Sequence, residues 1–111
     1  MRRFNRTRGD RKLFMKSMAA NLVMRERIQT TTARAKEVRP LVEKFVTIAK
    51  KQNLASLRTL LAKLPKDSAE KMYYDIAPRY KERHGGYLRI TKHAKTRKRD
   101  GAAIAVVEFV K

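Results

Sequence analysis

Residues 83–92 read RHGGYLRITK, and here the hydrophobic pattern of the chain changes from a helical period to a period of two. Leu88 and Ile90 fall on one face of an extended segment, which predicts a strand with that face toward the core. The other face carries Tyr87, Arg89 and Thr91. The two consecutive glycines before the strand allow a chain reversal, because glycine adopts positive φ at little cost.

A second strand is predicted close to the C-terminus. Residues 102–110 read AAIAVVEFV, an apolar run rich in β-branched residues that suits a mostly buried strand. Asp100 and Gly101 form a turn signal before it, so the two strands should form an antiparallel hairpin. A hairpin alone is marginally stable. We therefore expect it to pack on helices, with residues 28–31 as a candidate third strand. The predicted basic tip consists of Lys95, Arg97, Lys98 and Arg99.

The rest of the chain has a helical period and predicts four helices. Their expected bounds are about residues 10–25, 32–51, 53–64 and 67–78, begun or capped by Asp10, Thr32, Asn53 and Asp67. Glu70 follows Asp67 by three residues, which suits a variant of the capping box. Pro40 predicts a kink, or a second helix that starts nearer Lys36. Pro78 is expected to end or bend the fourth helix.

Each predicted helix carries one apolar stripe that should face the core. The stripes consist of Phe14, Met15, Met18, Ala19, Leu22 and Val23 in the first helix; Ala35, Val38, Leu41, Val42, Phe45, Ile48 and Ala49 in the second; Leu54, Leu57, Leu61 and Leu64 in the third; and Met72, Tyr73, Ile76 and Ala77 in the fourth. The predicted fold class is α+β, with about four helices on a small antiparallel sheet. A basic leader, residues 1–12, precedes one domain of residues 13–111.

Charge is the strongest compositional signal. The chain has 29 Lys and Arg against 10 Asp and Glu, a net charge of +19. A free protein gains nothing from the self-repulsion of so large a charge, so the charge indicates a polyanionic partner that neutralises it. Nucleic acid is the commonest such partner. An anionic membrane is the rival, but it requires a polybasic amphipathic helix or a lipid anchor. No run approaches the roughly 20 apolar residues of a membrane span, so we expect no membrane partner and a cytosolic location.

The leader holds six cations against the single acid Asp10 and cannot bury a core. A solvated tail is one interpretation, and a phosphate-binding tail is the other. Its cations are Arg2, Arg3, Arg6, Arg8, Arg11 and Lys12.

Catalytic chemistry has little support in the sequence. The chain has no cysteine, only two histidines, His84 and His93, and acids that are scattered along it. Neither GxxxxGK[ST] nor GxGxxG occurs. We therefore predict no catalytic, cofactor-binding or metal-binding residue, no small-molecule substrate and no enzyme activity.

RNA fits the basic residues better than sequence-specific DNA. No helix-turn-helix or zinc-finger pattern is evident, and basic tails on a small domain suit the crevices of folded RNA. A free architectural DNA-binding or nucleoid protein remains the alternative. Five lysines are assigned to solvated helix faces instead: Lys50, Lys51, Lys63, Lys66 and Lys71.

Several motifs, in order along nearly the whole chain, resemble the bacterial and organellar large-subunit ribosomal protein L17 family. They are FNR (residues 4–6), MKSMAANLV (15–23) leading into IQTT (28–31), ARAKEVRPLVEKFVTIAK (33–50), APRYKERHGGYLRI (77–90) and DGAAIAVVEFV (100–110). The combination is specific, whereas GGY-x-RI alone would be weak.

The resemblance implies an α+β protein that binds 23S-type ribosomal RNA and stabilises the large subunit near the exit-tunnel side, beside other ribosomal proteins. Within RHGGYLRITK, we expect Arg83, Arg89 and Lys92 to face RNA, with the Tyr87 ring stacking or packing. The full set of predicted RNA-binding residues is Arg2, Arg3, Asn5, Arg6, Arg8, Arg11, Lys12, Lys16, Arg25, Arg27, Arg34, Lys36, Arg79, Arg83, His84, Tyr87, Arg89, Lys92, Lys95, Arg97, Lys98 and Arg99.

Overall fold

Helices pack against one face of a small antiparallel sheet in the computed structural model, which describes residues 8–96, 101 and 103–110. The elements are α1 (Arg8–Arg25), β1 (Arg27–Thr31), α2 (Thr32–Ala49), α3 (Leu54–Lys63), α4 (Lys66–Lys71), a π-helical turn (Met72–Ile76), α5 (Ala77–Arg79), β2 (Leu88–Thr96) and β3 (Ala103–Phe109). The segments from α4 to α5 follow one another without a break, so the described residues form four helical stretches. The predicted α+β class is confirmed.

The last strand is the centre of the sheet. The strand order is β1-β3-β2, and β3 pairs antiparallel with both neighbours. Ile28, Val107 and Ile90 form one cross-strand row on the helix side. The apolar composition of β3 follows from this central position, and both the hairpin and the third strand at residues 28–31 are confirmed. The predicted hairpin tip at Arg97, Lys98 and Arg99 lies outside the described residues.

The register of β2 is the predicted one at its start. Leu88 is buried, Ile90 is half-buried and Arg89 is exposed, as the alternation requires. Lys92 is exposed on the opposite face of the strand from Arg89, and its contact with RNA stays a prediction. The predicted place of Tyr87 on the outer face of the strand is wrong: Tyr87 precedes the strand, is only 3% exposed, and packs its ring 5.3 Å from that of Tyr80. The ring therefore packs rather than offering a face for stacking.

The first two helices begin earlier than predicted. Helix α1 starts at Arg8, so Asp10 lies in its first turn and is not its N-cap, and the helix includes residues 8–12 of the proposed leader. Helix α2 is capped by Thr31 rather than Thr32, because Thr31 is extended and its Oγ1 accepts from the Arg34 N–H at 3.3 Å. The later start near Lys36 is wrong. The helix continues through Pro40, which lies on its exposed side.

Helix α3 has the predicted cap but not the predicted buried side. Asn53 Oδ1 accepts from the Ser56 N–H at 2.7 Å, and the Asn53 N–H donates to Ser56 Oγ at 3.3 Å, which forms a capping box. The helix buries Ser56 and Leu60, with Leu64 at its C-cap, whereas Leu54 and Leu61 are exposed. The four-leucine stripe was therefore wrong at Leu54 and Leu61, whereas Leu64 is buried as predicted and Leu57 is half-buried.

The fourth helical stretch has an irregular centre. Helix α4 is capped by Pro65 without a side-chain hydrogen bond, so the proposed capping box at Asp67 and Glu70 is wrong. In the π turn, the Ala77 N–H reaches back five residues to the Met72 carbonyl. Pro78 follows directly and lacks an N–H, so the regular hydrogen-bond pattern cannot continue through it. Met72, Ile76 and Ala77 are buried as predicted.

The corrected face of α3 can be tested with two adjacent leucines. Leu60 is 0% exposed and Leu61 is 41% exposed. We expect Leu60→Ala to lower the free energy of unfolding by about 2–5 kcal/mol because it leaves a cavity in the core. Leu61→Ala should change it by well under half as much, as for most surface positions. Urea denaturation of the two variants measures the difference, and equal losses would contradict the assignment.

Candidate nucleic-acid interface

Two arginines flank a carboxylate across the exposed face of the sheet. Arg27, Glu108 and Arg89 occupy one register row of β1, β3 and β2. Arg89 Nε donates to Glu108 Oε1 at 2.8 Å, and Arg27 Nε lies 3.6 Å from Oε2. Both arginines remain exposed, with side chains 67% (Arg27) and 63% (Arg89) accessible. Each guanidinium has five N–H donors, so the shared carboxylate orients both groups and leaves donors for an anion.

The turn between α1 and β1 carries a second ionic group. Glu26 has φ of 64°, a left-handed conformation that is uncommon outside glycine. Its carbonyl accepts from the Phe109 N–H at 3.1 Å, which attaches the turn to β3. Its carboxylate accepts from Arg79 and lies 3.3 Å from Lys71 Nζ. Arg79 also donates to Asp75 at 3.1 Å, so this arginine is held from two sides.

The contacts and the burial in this region shift the pKa values of three groups. The hydrogen bond from Arg79 lowers the pKa of Glu26, opposed by partial burial and supported by Lys71. The same hydrogen bond raises the pKa of Arg79 well above its usual value. Burial raises the pKa of the Tyr80 hydroxyl, which donates to the Val110 carbonyl at 2.5 Å. The charged forms of Glu26 and Arg79 are therefore favoured in the folded protein.

A cleft of about 620 Å³ joins the two ionic groups at this end of the sheet. Three of the predicted RNA-binding arginines, Arg25, Arg27 and Arg79, line it together with Glu26 and Glu108. Arg89 lies beside the cleft, because its Nε donates to Glu108, which lines it. We call Arg25, Arg27, Arg79 and Arg89 the arginine cluster. All four arginines are exposed, and Arg79 is in addition held by the carboxylates of Glu26 and Asp75.

Other predicted residues lie apart from this cluster. The Arg34 guanidinium lies 4.9 Å from the centre of the Phe14 ring and lines a small cleft of about 180 Å³ at the far end of β1. Lys12 and Lys36 are exposed on their helices, and Lys16 is half-buried. Arg11 is also half-buried, and its Nε has no hydrogen-bond partner among the described residues.

The loop before β2 holds Arg83 and His84, both exposed. Arg83 Nε donates to the Gly85 carbonyl at 3.2 Å, and Gly85 and Gly86 have φ of 131° and 63°, as the predicted reversal requires. Tyr87 fixes the end of the loop: its N–H donates to Glu43 Oε2 at 2.9 Å.

Two lysines have a role that the sequence did not indicate. Lys50, assigned to a solvated face, donates to the Arg83 carbonyl and to the Tyr87 hydroxyl at 3.0 Å. Lys71, assigned likewise, donates to the Met24 carbonyl at 2.8 Å and pairs with Glu26. Both ammonium groups therefore stabilise loops of the fold. Lys51, Lys63 and Lys66 are exposed as expected.

Nine of the predicted RNA-binding residues have side chains outside the described part of the structure. Arg2, Arg3, Asn5, Arg6, Arg97, Lys98 and Arg99 lie outside the described residues. Arg8 and Lys95 are placed by their backbone alone, in α1 and β2.

Within the described part of the chain, no group of three His, Asp or Glu side chains is arranged to hold a metal ion. No helix in that part is long and apolar enough to cross a membrane.

Comparison with known proteins adds a direct relationship. The family model described as ribosomal protein L17 matches residues 14–110. The chain belongs to this family. It is 46% identical over 110 residues to the large ribosomal subunit protein bL17 of Orientia tsutsugamushi strain Boryong, covering 98% of this chain and 75% of that protein. The protein of the same name from Bradyrhizobium diazoefficiens is 47% identical over 110 residues, with 98% and 79% coverage. That of Exiguobacterium is 40% identical over 114 residues, with 97% of each chain covered.

Membership of the L17 family confirms the resemblance read from the motifs. The match covers α1 from Phe14, all of α2 to α5, and the three strands, so it includes every element that positions the arginine cluster.

The Glu26 ionic group predicts an acid-sensitive contribution to stability. Because folding lowers the pKa of Glu26 below its ordinary value of 4.5, the carboxylate contributes stability above about pH 4.5, and this is lost as pH falls through the lowered value. Glu26→Gln should therefore destabilise the protein at pH 7 by roughly 0.5–2 kcal/mol. The difference from the unsubstituted protein should shrink at pH 3.

Chemical denaturation at the two pH values measures the effect. Glu82→Gln is the matched control, since Glu82 is exposed and has no ion pair within the described residues. A Glu26→Gln deficit that is the same at pH 7 and pH 3 would contradict the role given to the carboxylate.

Proposed function

We propose that the protein is a structural constituent of the large ribosomal subunit that binds 23S-type ribosomal RNA and stabilises the assembled subunit near its exit-tunnel side. Its partners are that RNA and neighbouring ribosomal proteins, in the cytoplasm of a bacterium or inside an organelle. The role involves no catalysis, cofactor, membrane or small-molecule substrate.

The observation that carries this proposal is the exposed pair Arg27 and Arg89 held by Glu108 on the sheet. Guanidinium groups oriented in advance lose less conformational freedom when they bind phosphate. The relatives named large ribosomal subunit proteins match the sequence that builds this cluster. The net charge of +19 supplies the sequence-independent part of the attraction.

Family membership does not favour the alternative of a free nucleoid protein. The two functions also differ in a simple measurement. A subunit protein cosediments with large subunits at physiological salt, whereas a nucleoid protein is found with duplex DNA and not with ribosomes. Absence of the protein from the large-subunit fraction would overturn the proposal.

Salt dependence tests the sheet arginines directly. For binding to purified 23S-type RNA, Arg27→Gln with Arg89→Gln should reduce the slope of log K against log salt by about 2, roughly one for each lost phosphate contact. Arg27→Lys with Arg89→Lys keeps both charges and should keep most of the slope.

Lys51→Gln with Lys63→Gln removes the same charge from exposed helix positions and serves as the matched control. Filter binding between 50 and 200 mM salt measures each slope. If the two glutamine pairs reduce the slope equally, the arginine cluster has no special place in RNA binding.

A further inference from the structure

An open groove of about 720 Å³ lies between α1 and β1, and no described residue fills it. The α1 wall carries the apolar side chains of Leu13, Phe14 and Met18, and the β1 wall carries Ile28. Leu13 is well exposed, so the apolar surface reaches the rim of the groove. A mixed surface of this kind, without enclosed volume, suits an extended chain better than a small molecule.

The β1 wall is also a free strand edge. β1 is the outer strand of the sheet, and β3 pairs with only one of its sides. The Phe109 N–H donates to the Glu26 carbonyl in the register that pairs Arg27 with Glu108. Because inward and outward hydrogen bonding alternate along an antiparallel strand, Arg27 and Gln29 direct their backbone N–H and C=O groups away from β3. Within the described residues, neither has a backbone partner on that side.

Charge complementarity indicates what kind of chain would fit. Arg25 and Arg27 both line the groove at the end where β1 begins, and no acidic residue lines it. Of the described residues that line the groove, Phe14 is the aromatic one, and its ring packs against the core with the Arg34 guanidinium 4.9 Å from its centre. An occupant therefore needs backbone groups to pair with β1, apolar side chains toward α1 and an acidic group near Arg25.

We propose that this groove binds an extended segment of a neighbouring large-subunit protein, which adds a strand to the free edge of β1. The backbone of the segment pairs with Arg27 and Gln29, its apolar side chains pack on Leu13 and Met18, and a carboxylate pairs with Arg25. The Arg27 side chain stays beside Glu108 on the exposed sheet face. Strand addition of this type obtains affinity from main-chain hydrogen bonds and specificity from alternate side chains. The identity of the partner class rests on the proposed function, whereas the groove and the edge do not.

A photo-cross-linker in the groove tests the proposal in assembled large subunits. The full chain carrying Ser17→p-benzoylphenylalanine, at an exposed position of the α1 wall, is incorporated into subunits and irradiated. We expect a cross-link to one segment of a ribosomal protein, mapped by mass spectrometry of the cross-linked peptide. Cross-links to RNA alone, or none, would overturn the proposal.

Two substitutions show whether the strand edge is responsible. Gln29→Pro removes an outward N–H without removing a bond to β3, and it should reduce the protein cross-link roughly tenfold through the lost hydrogen bond and the altered edge. Gln29→Val keeps the N–H and should leave the yield nearly unchanged. Leu13→Glu places a charge on the apolar rim at an exposed position, does not depend on the tolerance of β1 for proline, and should also reduce the yield.

Unchanged cross-linking in both Gln29→Pro and Leu13→Glu would rule out strand addition. Sedimentation of the same samples separates the two proposals. A protein absent from large subunits refutes the proposed function and this inference together. A protein present in large subunits but cross-linked only to RNA refutes the inference alone.

Discussion

The turn at Glu26 is the constraint on which the arrangement depends. Its left-handed backbone ends α1 and starts β1 within a single residue, and its carbonyl attaches that start to the last residue of β3. Its carboxylate attaches the same point to Lys71 and Arg79 on the fourth helical stretch. One residue therefore joins elements that are far apart in the chain. A left-handed non-glycine residue is unfavourable alone, and these three attachments offset its strain.

In so basic a chain, a few paired carboxylates determine where several of the cations lie. Glu108 orients Arg27 and Arg89 across the sheet, and Glu26 holds Arg79 and Lys71. Glu43 accepts from Arg39 and from the Tyr87 backbone. The acids thus divide the cations into a group that maintains the fold and a group that is left exposed but oriented. That division, rather than the net charge, determines which surface can bind an anion.

Much of the fold could be predicted from the sequence because its pattern is periodic. The two-residue alternation around Leu88 and the β-branched run of β3 correspond to physical faces, so strand register and class were correct. Helix starts were less accurate: a cap is one side-chain hydrogen bond, and Thr31 and Thr32 are equally suited to it in sequence. The α3 face was correct only at Leu57 and Leu64, because leucines outnumber the positions that packing can bury and a serine occupies one of those positions.

The candidate site was less predictable for a related reason. A lysine or arginine has the same sequence signature whether its charge meets water, a carbonyl or a phosphate. The roles of Lys50 and Arg79 differ from those of Arg27 and Arg89 because of the residues that contact them in the folded protein. Those residues are distant in the sequence. The motifs identified the family correctly, whereas composition alone left a free nucleoid protein as an alternative. Motifs in a fixed order over nearly the whole chain are more specific than a count of charged residues.

The π turn has a consequence for how the length of this chain can change. In an α-helix each residue rotates the direction of the next side chain by about 100°, so one extra residue turns everything beyond it. The wide turn at Met72–Ile76 absorbs such a residue and still brings Arg79 to Glu26 and Tyr80 into the core. Deletion of a single residue there would restore a regular helix and leave Tyr80 facing Val110 and Tyr87. The spacing between α4 and the loop before β2 can therefore change by one residue at this turn without moving the side chains beyond it.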